Sequence, residues 1–582
     1  MAGSAKRKHY WISCSTLFLA ATLTFMPLSA AAQGASAKTD EGHEAGIPVT
    51  DQLVLTKCGT CHEPDAKGNM SRISWIRTTP EGWEEAIKRM VRLNGLSLSP
   101  DEARHILRYL SDSHGLAPAE AEPVEYYSEH RIVDETIADP DVRHACASCH
   151  ALARPLSWHR SQDDWKYLVN MHVAFFPAIE FTSFQLPARR GDSESPTPAA
   201  APVSPLDKAL AFIRRSAPLS TPSWSEWQAS MSDPKLAGRW LVTGEEPGKG
   251  RFFGEVTIAP GAEADQFTTK TTIHYVDGTS ETLSEEGSSI VYTGFQWRGR
   301  SAVQQPGTAV GSPKTIREVM LVSPDQSTMK GRWFWGVYEE FGMDVKLRRA
   351  QEGPVILGTD LSALRTGTTG TKVTIYGDHL PDDLSAANID LGTGVKVASV
   401  LNHSASSITV SVDVAADATP GMRTISAGAA TVQNAFAVYR QVDFIRVTPV
   451  TPIAHLGSES HEKGYAQFAA HGYSFGPDGK PDTADDIDLG PMKATWKLEE
   501  FIASYGDDDT QFVGSVDANT GLFTPSSDGP DPKRRSMRNN YGDIWVVGTV
   551  TPEGSTGQLS ARSYLIVSVP QYVQYDQPEV GQ

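Results

Sequence analysis

Cysteine is scarce in this chain of 582 residues: five in all, Cys14, Cys58, Cys61, Cys146 and Cys149. A disulfide-stapled exported protein would scatter more of them. Here none lies beyond residue 149. Positive charge is short too: 52 Lys and Arg against 70 Asp and Glu leave a formal net charge of −18, which argues against a nucleic-acid partner. After the amino-terminal stretch no apolar run approaches spanning length, so no membrane span is expected. No phosphate loop, Gly-x-Ser-x-Gly or His-Glu-x-x-His is present. With 40 % hydrophobic and 21 % charged residues, the chain reads as globular and too long for one core.

What is present begins with a leader. Lys6, Arg7 and Lys8 precede a short apolar run closing on Ala30-Ala31-Ala32, the pattern of a cleaved secretory signal peptide over 1–32. The expected location is the periplasm, and Cys14 would leave with the leader.

The other four cysteines fall in Cys58-Gly-Thr-Cys61-His62 and Cys146-Ala-Ser-Cys149-His150. Cys-x-x-Cys-His is the attachment pattern of haem c: the thiols add to the porphyrin vinyl groups and the adjacent imidazole binds iron. A zinc site could use two cysteine pairs but would not explain a histidine after each. A thioredoxin-like site needs a βαβ context that is absent. Two covalently bound haems c are expected, held by Cys58 and Cys61 and by Cys146 and Cys149, with His62 and His150 on iron.

An internal repeat suggests the opposite ligands. Ser74-Trp75-x-Arg77 follows the first motif and Ser157-Trp158-x-Arg160 the second, and each leads to another tryptophan, Trp83 or Trp165. Seven residues on, two helical turns, stand Met90 and His172. Ile87 and Val169 share those helix faces. Met70 competes with Met90 for the first site, and Met171 and His159 compete with His172 for the second. His105, His114, His130 and His144 are expected at the surface. Ser99-Pro100 and Ser204-Pro205 open a matching last helix in each half. Residues 33–218 therefore read as an all-α di-haem cytochrome c domain, with a Pro/Ala/Ser-rich loop over 189–205. Methionine ligation raises haem potential, so electrons should fall from the Cys146 site to the Cys58 site.

From residue 219 strand patterns take over. The expected units are an antiparallel β-barrel (219–350, with Asp277-Gly278 as a hairpin turn) and two immunoglobulin-like sandwiches (351–440 and 441–582). Trp333 and Trp335 should face the barrel core or a neighbouring chain. The loop with Asp478, Asp482, Asp485 and Asp486 could hold calcium but does not match EF-hand spacing, and a solvated acidic turn is the expectation.

Two haem motifs in a helical domain, then a barrel and two sandwiches, resemble the alpha subunit of quinohaemoprotein amine dehydrogenase along the whole mature chain. The resemblance implies an oxidoreductase for primary amines, with a β-propeller subunit and a small subunit carrying cysteine tryptophylquinone. It also implies that this chain has no substrate-converting residues of its own. Electrons would pass from the quinone through a buried haem and a more exposed haem to a soluble acceptor such as a cupredoxin or cytochrome c. The alternative is a stand-alone periplasmic di-haem cytochrome, a shuttle or a di-haem peroxidase, with the β-domains for docking.

Overall fold

Side-chain caps set where the helices begin. In a computed structural model of the chain, Asp51, Thr79, Ser99, Ser161, Ser204 and Thr221 each accept a backbone N–H of the first helical turn. Residues 44–125, 139–147, 149–184, 203–276, 282–307, 310–336, 341–503, 506–553 and 557–570 are described. The leader, Ser148, His130, Asp277-Gly278 and most of the 189–205 loop lie outside them.

The described helices are α1 (Gln52–Cys58), α2 (Pro80–Asn94), α3 (Pro100–Ser113), α4 (Pro118–Ala121), α5 (Pro140–Ala147), α6 (Ala153–Leu156), α7 (Gln162–Phe175), α8 (Pro205–Ser216) and α9 (Pro222–Ser230). At the start of α3, Ser99 and Glu102 form a reciprocal capping box. α2 stops at Gly95, whose φ of 72° lies in the left-handed region that glycine enters without a side-chain clash.

The amino-terminal domain is not all-α, as its sequence suggests. The two Ser-Trp-x-Arg copies pair with each other as antiparallel strands β1 (Ile76–Thr78) and β2 (Trp158–Arg160), in register Ile76↔Arg160 and Arg77↔His159. This joins the halves about an internal pseudo-twofold. The repeat tryptophans act alike: Trp83 Nε1 donates to the His114 carbonyl (2.9 Å) and Trp165 Nε1 to the Ala217 carbonyl (3.0 Å). Each thus ties its helix to the end of α3 or α8.

Eight strands close an antiparallel barrel: β3 (Gly238–Glu246), β4 (Gly250–Pro260), β5 (Gln266–Tyr275), β6 (Thr282–Tyr292), β7 (Gln296–Val303), β8 (Thr315–Val322), β9 (Thr328–Trp335) and β10 (Phe341–Arg349), with β10 pairing back onto β3. Trp333 and Trp335 are buried in its core with Trp240, Phe252 and Trp297. On the outer face, Ile290 and Tyr292 of β6 pack with Ile106, Leu107 and Leu110 of α3 in one cluster. Arg298 of β7, fully buried, forms an ion pair with Glu81 in the first turn of α2. The barrel therefore grips the helix that carries Met90.

Between 355 and 439, two four-stranded sheets share one core that includes Val373, Ile408, Ile425 and Phe436. The last segment departs from a two-sheet sandwich: three sheets, of three, four and three strands, surround a core with Phe468, Phe523 and Val546. Its acidic loop already has a cation. Arg446 donates to Asp482 (2.9 Å) and Asp486 (3.3 Å), and the remaining carboxylates accept loop N–H and O–H groups.

One junction has a defined pH response. His471 lies 2.9 Å from Glu245 of the barrel and 3.6 Å from Asp488. Burial pulls its pKa down, but hydrogen bonds to Asp488 and Glu245 outweigh that and hold it up at about 9. A raised histidine stabilises fully below its unfolded value near 6.5 and loses that contribution as pH climbs through about 9. Thermal unfolding of His471→Asn should show a deficit at pH 6 that has vanished by about pH 10. An equal deficit at both would exclude the charged pair as its cause.

Candidate haem sites

Local backbone geometry presents the first motif. Cys58 is the last residue of α1, and the N–H groups of Cys61 and His62 return to its carbonyl at 3.2 and 2.9 Å. This tight turn folds Cys61 and His62 back toward the end of α1. The second motif starts likewise, with Cys146 in the last turn of α5. None of the four cysteines is in a disulfide. Among the described residues no three His, Cys, Asp or Glu side chains gather as a zinc site would require.

The histidine of each motif lines a cavity. The first, about 320 Å³, is lined by Cys58 and His62, by Ile73, Ile76, Ile106 and Leu110, and by Trp83, Ile87 and Met90 along one face of α2. The helical spacing thus brings Met90 to the same cavity as His62. Met70 is fully buried in the neighbouring core, its N–H bound by Ser74 Oγ at 2.8 Å, and does not line the cavity. His62 Nδ1 lies 2.8 Å from the Ser71 carbonyl, which would leave Nε2 to bind an iron. Burial lowers the His62 pKa and favours the neutral imidazole that ligation needs.

The second cavity, about 560 Å³, brings together His150, Arg154, Trp158, Leu168, Met171 and His172. His172 Nδ1 lies 2.9 Å from the Leu168 carbonyl, so its Nε2 would likewise be the nitrogen available to a metal. The expected placement of Val169 needs correction, because Leu168 and not Val169 reaches this wall. Met171 reaches both cavities. His159 lines neither: it is buried, with Nδ1 2.8 Å from the Pro218 carbonyl and 3.3 Å from Arg77, and burial lowers its pKa to about 4. His114 is also corrected, from surface to fully buried, with Nε2 3.2 Å from the Ile47 carbonyl. His105 and His144 are exposed.

The opposite face of α2 serves the second cavity. Glu84, Lys88 and Arg92 rim it, Lys88 pairing with Glu84 at 2.8 Å, while Glu85 holds Arg154 at 2.8 Å. One helix therefore borders both sites, apolar toward the first and charged toward the second. A Cys-x-x-Cys pair followed by an imidazole, which shares its cavity with a thioether or a second imidazole, forms a donor set that fits haem c. The residues missed in the sequence are those between the cavities, Trp158 and Arg160 foremost. The repeated Ser-Trp-x-Arg was their only signal.

Four family descriptions match successive parts of the chain: the haem-binding part of the quinohemoprotein amine dehydrogenase alpha subunit over 49–190, and its domains II, III and IV over 233–350, 359–440 and 445–580. The chain belongs to this alpha-subunit family. It is therefore a multidomain haem subunit, part of an oxidoreductase complex with other subunits. No curated protein matches it. Similar solved structures include a redesigned beta barrel (16% identity, 20% of this chain and 92% of that one, TM-score 0.16). Human protocadherin-24 EC1-2 has 11% identity, covering 38% of this chain and 100% of that one, with a TM-score of 0.16. Drosophila N-cadherin EC1-3 has 10% identity, covering 59% and 95%, with a TM-score of 0.18. Among the described residues of this alpha subunit no helix is long and apolar enough to cross a membrane.

Proposed function

We propose that this chain relays electrons one at a time within a periplasmic amine dehydrogenase complex, from a quinone on a small partner subunit to a soluble cupredoxin or cytochrome c. The observation that carries the reading is the pair of adjoining cavities, one lined by Cys58, His62 and Met90 and the other by His150 and His172. Cys58, Cys61, His62 and Met90 would hold one haem c; Cys146, Cys149, His150 and His172 would hold the other. Bound there, the two haems supply one-electron carriers matched to a two-electron quinol. This chain's residues set the direction, since a thioether at the first site favours the reduced state more than an imidazole at the second.

The entry side is read at the second site. Phe175, Phe176 and Phe181, at the end of α7 and just beyond it, are 73%, 66% and 75% exposed. Such aromatic surface suits a permanent subunit contact, so the second haem becomes the buried one once the partner, a small subunit beside a β-propeller subunit, is in place. The β-domains hold the assembly together and contribute no substrate-converting residue.

Redox titration with optical detection tests the order. The higher of two potentials should belong to the Cys58 site, and Met90→His should lower that one alone. A ~59 mV fall is a tenfold loss of electron affinity for one electron, and a fall of at least that size is expected. A Met90→His protein with both potentials unchanged would refute the assignment.

A further inference from the structure

We propose that Trp158 is the bridge through which electrons tunnel between the two haem sites. The inference rests on the two-haem reading above. Five residues line both cavities: Arg89, Trp158, Arg160, Leu168 and Met171. Trp158 alone among them offers an aromatic ring. It packs against the cores of both halves, the one containing Trp83 and the one containing Trp165. Its ring lies 6.4 Å from that of Trp83, which lines the first cavity beside Met90.

Backbone pairing and a cation hold the ring in place. Strand pairing fixes its backbone opposite Thr78. Arg160 lays its guanidinium 4.6 Å from the ring centroid and is anchored by an ion pair with buried Asp164. Asp164 is held in turn by Arg72 at 2.8 Å. A cation over the indole face is attracted to the ring and makes removal of an electron from it costlier. Trp158 therefore couples the two sites without being oxidised itself: one electron leaves one site, appears at the other, and the indole is unchanged.

The broken symmetry of the repeat supports a dedicated role. Trp75 is the counterpart of Trp158 in the first copy, yet it lines neither cavity, and its Nε1 donates to the Glu44 carbonyl at 3.3 Å. The two tryptophans share a sequence context, and only the second sits between the sites.

The test is photochemical injection of one electron into the haem-loaded complex, with no amine present, following redistribution between the haems by absorbance. In Trp158→Leu the rate should fall about tenfold, equivalent to about 1.4 kcal/mol of effective barrier. Both midpoint potentials and both axial-ligand spectra should stay at wild-type values. Trp158→Phe, which keeps a ring, should retain most of the rate. If leucine prevents loading of either haem, Trp158→Met makes the same comparison. Undiminished transfer in a fully loaded Leu or Met variant would overturn the inference while leaving the two-haem reading intact. A wild-type chain carrying one haem would instead sink that reading.

Discussion

A chain with Cys146→Ser and Cys149→Ser is expected to mature with half the covalent haem of the wild type and to stop drawing electrons from the amine side. Every described cysteine belongs to a haem motif, so no other thiol can substitute. The Cys58 site should still take up haem, because its half has its own core. Val54, Met70, Ile73, Trp83, Ile106 and Leu110 are buried there, with Ile290 and Tyr292 of the barrel against them. The second half is built differently: among the described residues its buried cluster consists of Trp165, Ile213 and Ala217. So small a core leaves much of the apolar burial to the cofactor. Loss of the second haem should therefore loosen α7 and α8 while α2 and α3 stay ordered. Haem per chain by mass spectrometry, together with hydrogen exchange along the two halves, measures both effects. Uniform loosening would show that the halves do not fold as separate modules.

The second large effect is expected far from either iron. Arg298→Met strips the counter-charge from Glu81, which is 7% exposed and sits in the first turn of the Met90 helix. Burial pushes the Glu81 carboxyl up, yet the Arg298 charge and hydrogen bonds outweigh it and hold the carboxyl below its ordinary range. Glu125, 3.9 Å from Arg298, is pushed by burial to about 8, so Glu81 is the charged partner. Removing one member of a buried pair costs about 3–5 kcal/mol, whereas replacing both by apolar groups is often neutral. Arg298→Met should therefore lower the denaturant midpoint sharply, and Arg298→Met with Glu81→Met should recover most of it.

The sign with pH is fixed. A depressed carboxyl stabilises above its unfolded value and loses that as pH falls through its folded value. In Arg298→Met the unpaired Glu81 is instead raised, so the deficit against wild type should shrink toward acidic pH. Because α2 carries Met90, the long-wavelength band of methionine-ligated ferric haem should bleach before the second site responds. Simultaneous loss at both sites would mean that the barrel grips the domain as a whole and not α2 in particular.

The chemistry was legible because it is written locally. Haem attachment needs Cys, Cys and His within one turn, so the motif survives any uncertainty about the fold. The repeat was equally readable: counting two turns from Trp83 and Trp165 led to residues that do line the two cavities. Caps at Ser99 and Ser204 were plain because a hydroxyl followed by proline and an acid serves few other purposes.

What was hidden depends on contacts distant in sequence. A three-residue strand has no periodicity to detect, so β1 and β2 become visible only once they pair across 82 residues (Arg77 to His159). His114 reads as a surface residue because it follows a polar helix end, and contacts distant in sequence, with the Ile47 carbonyl and the Trp83 ring, cover it. The Asp478–Asp486 loop invites a metal until Arg446 arrives from another strand. Which residues separate the two cavities is likewise set by how the halves face one another.

The central claim is that this chain carries electrons away from an amine-oxidising centre. Its most direct test is the visible spectrum of the native complex, held anaerobically, before and after addition of butylamine. The account predicts sharp reduced-haem bands from both sites, with the Cys58 site filling first if amine is limiting. Absence of any amine-dependent reduction, with full reduction by dithionite, would contradict it and leave a di-haem cytochrome fed by another donor.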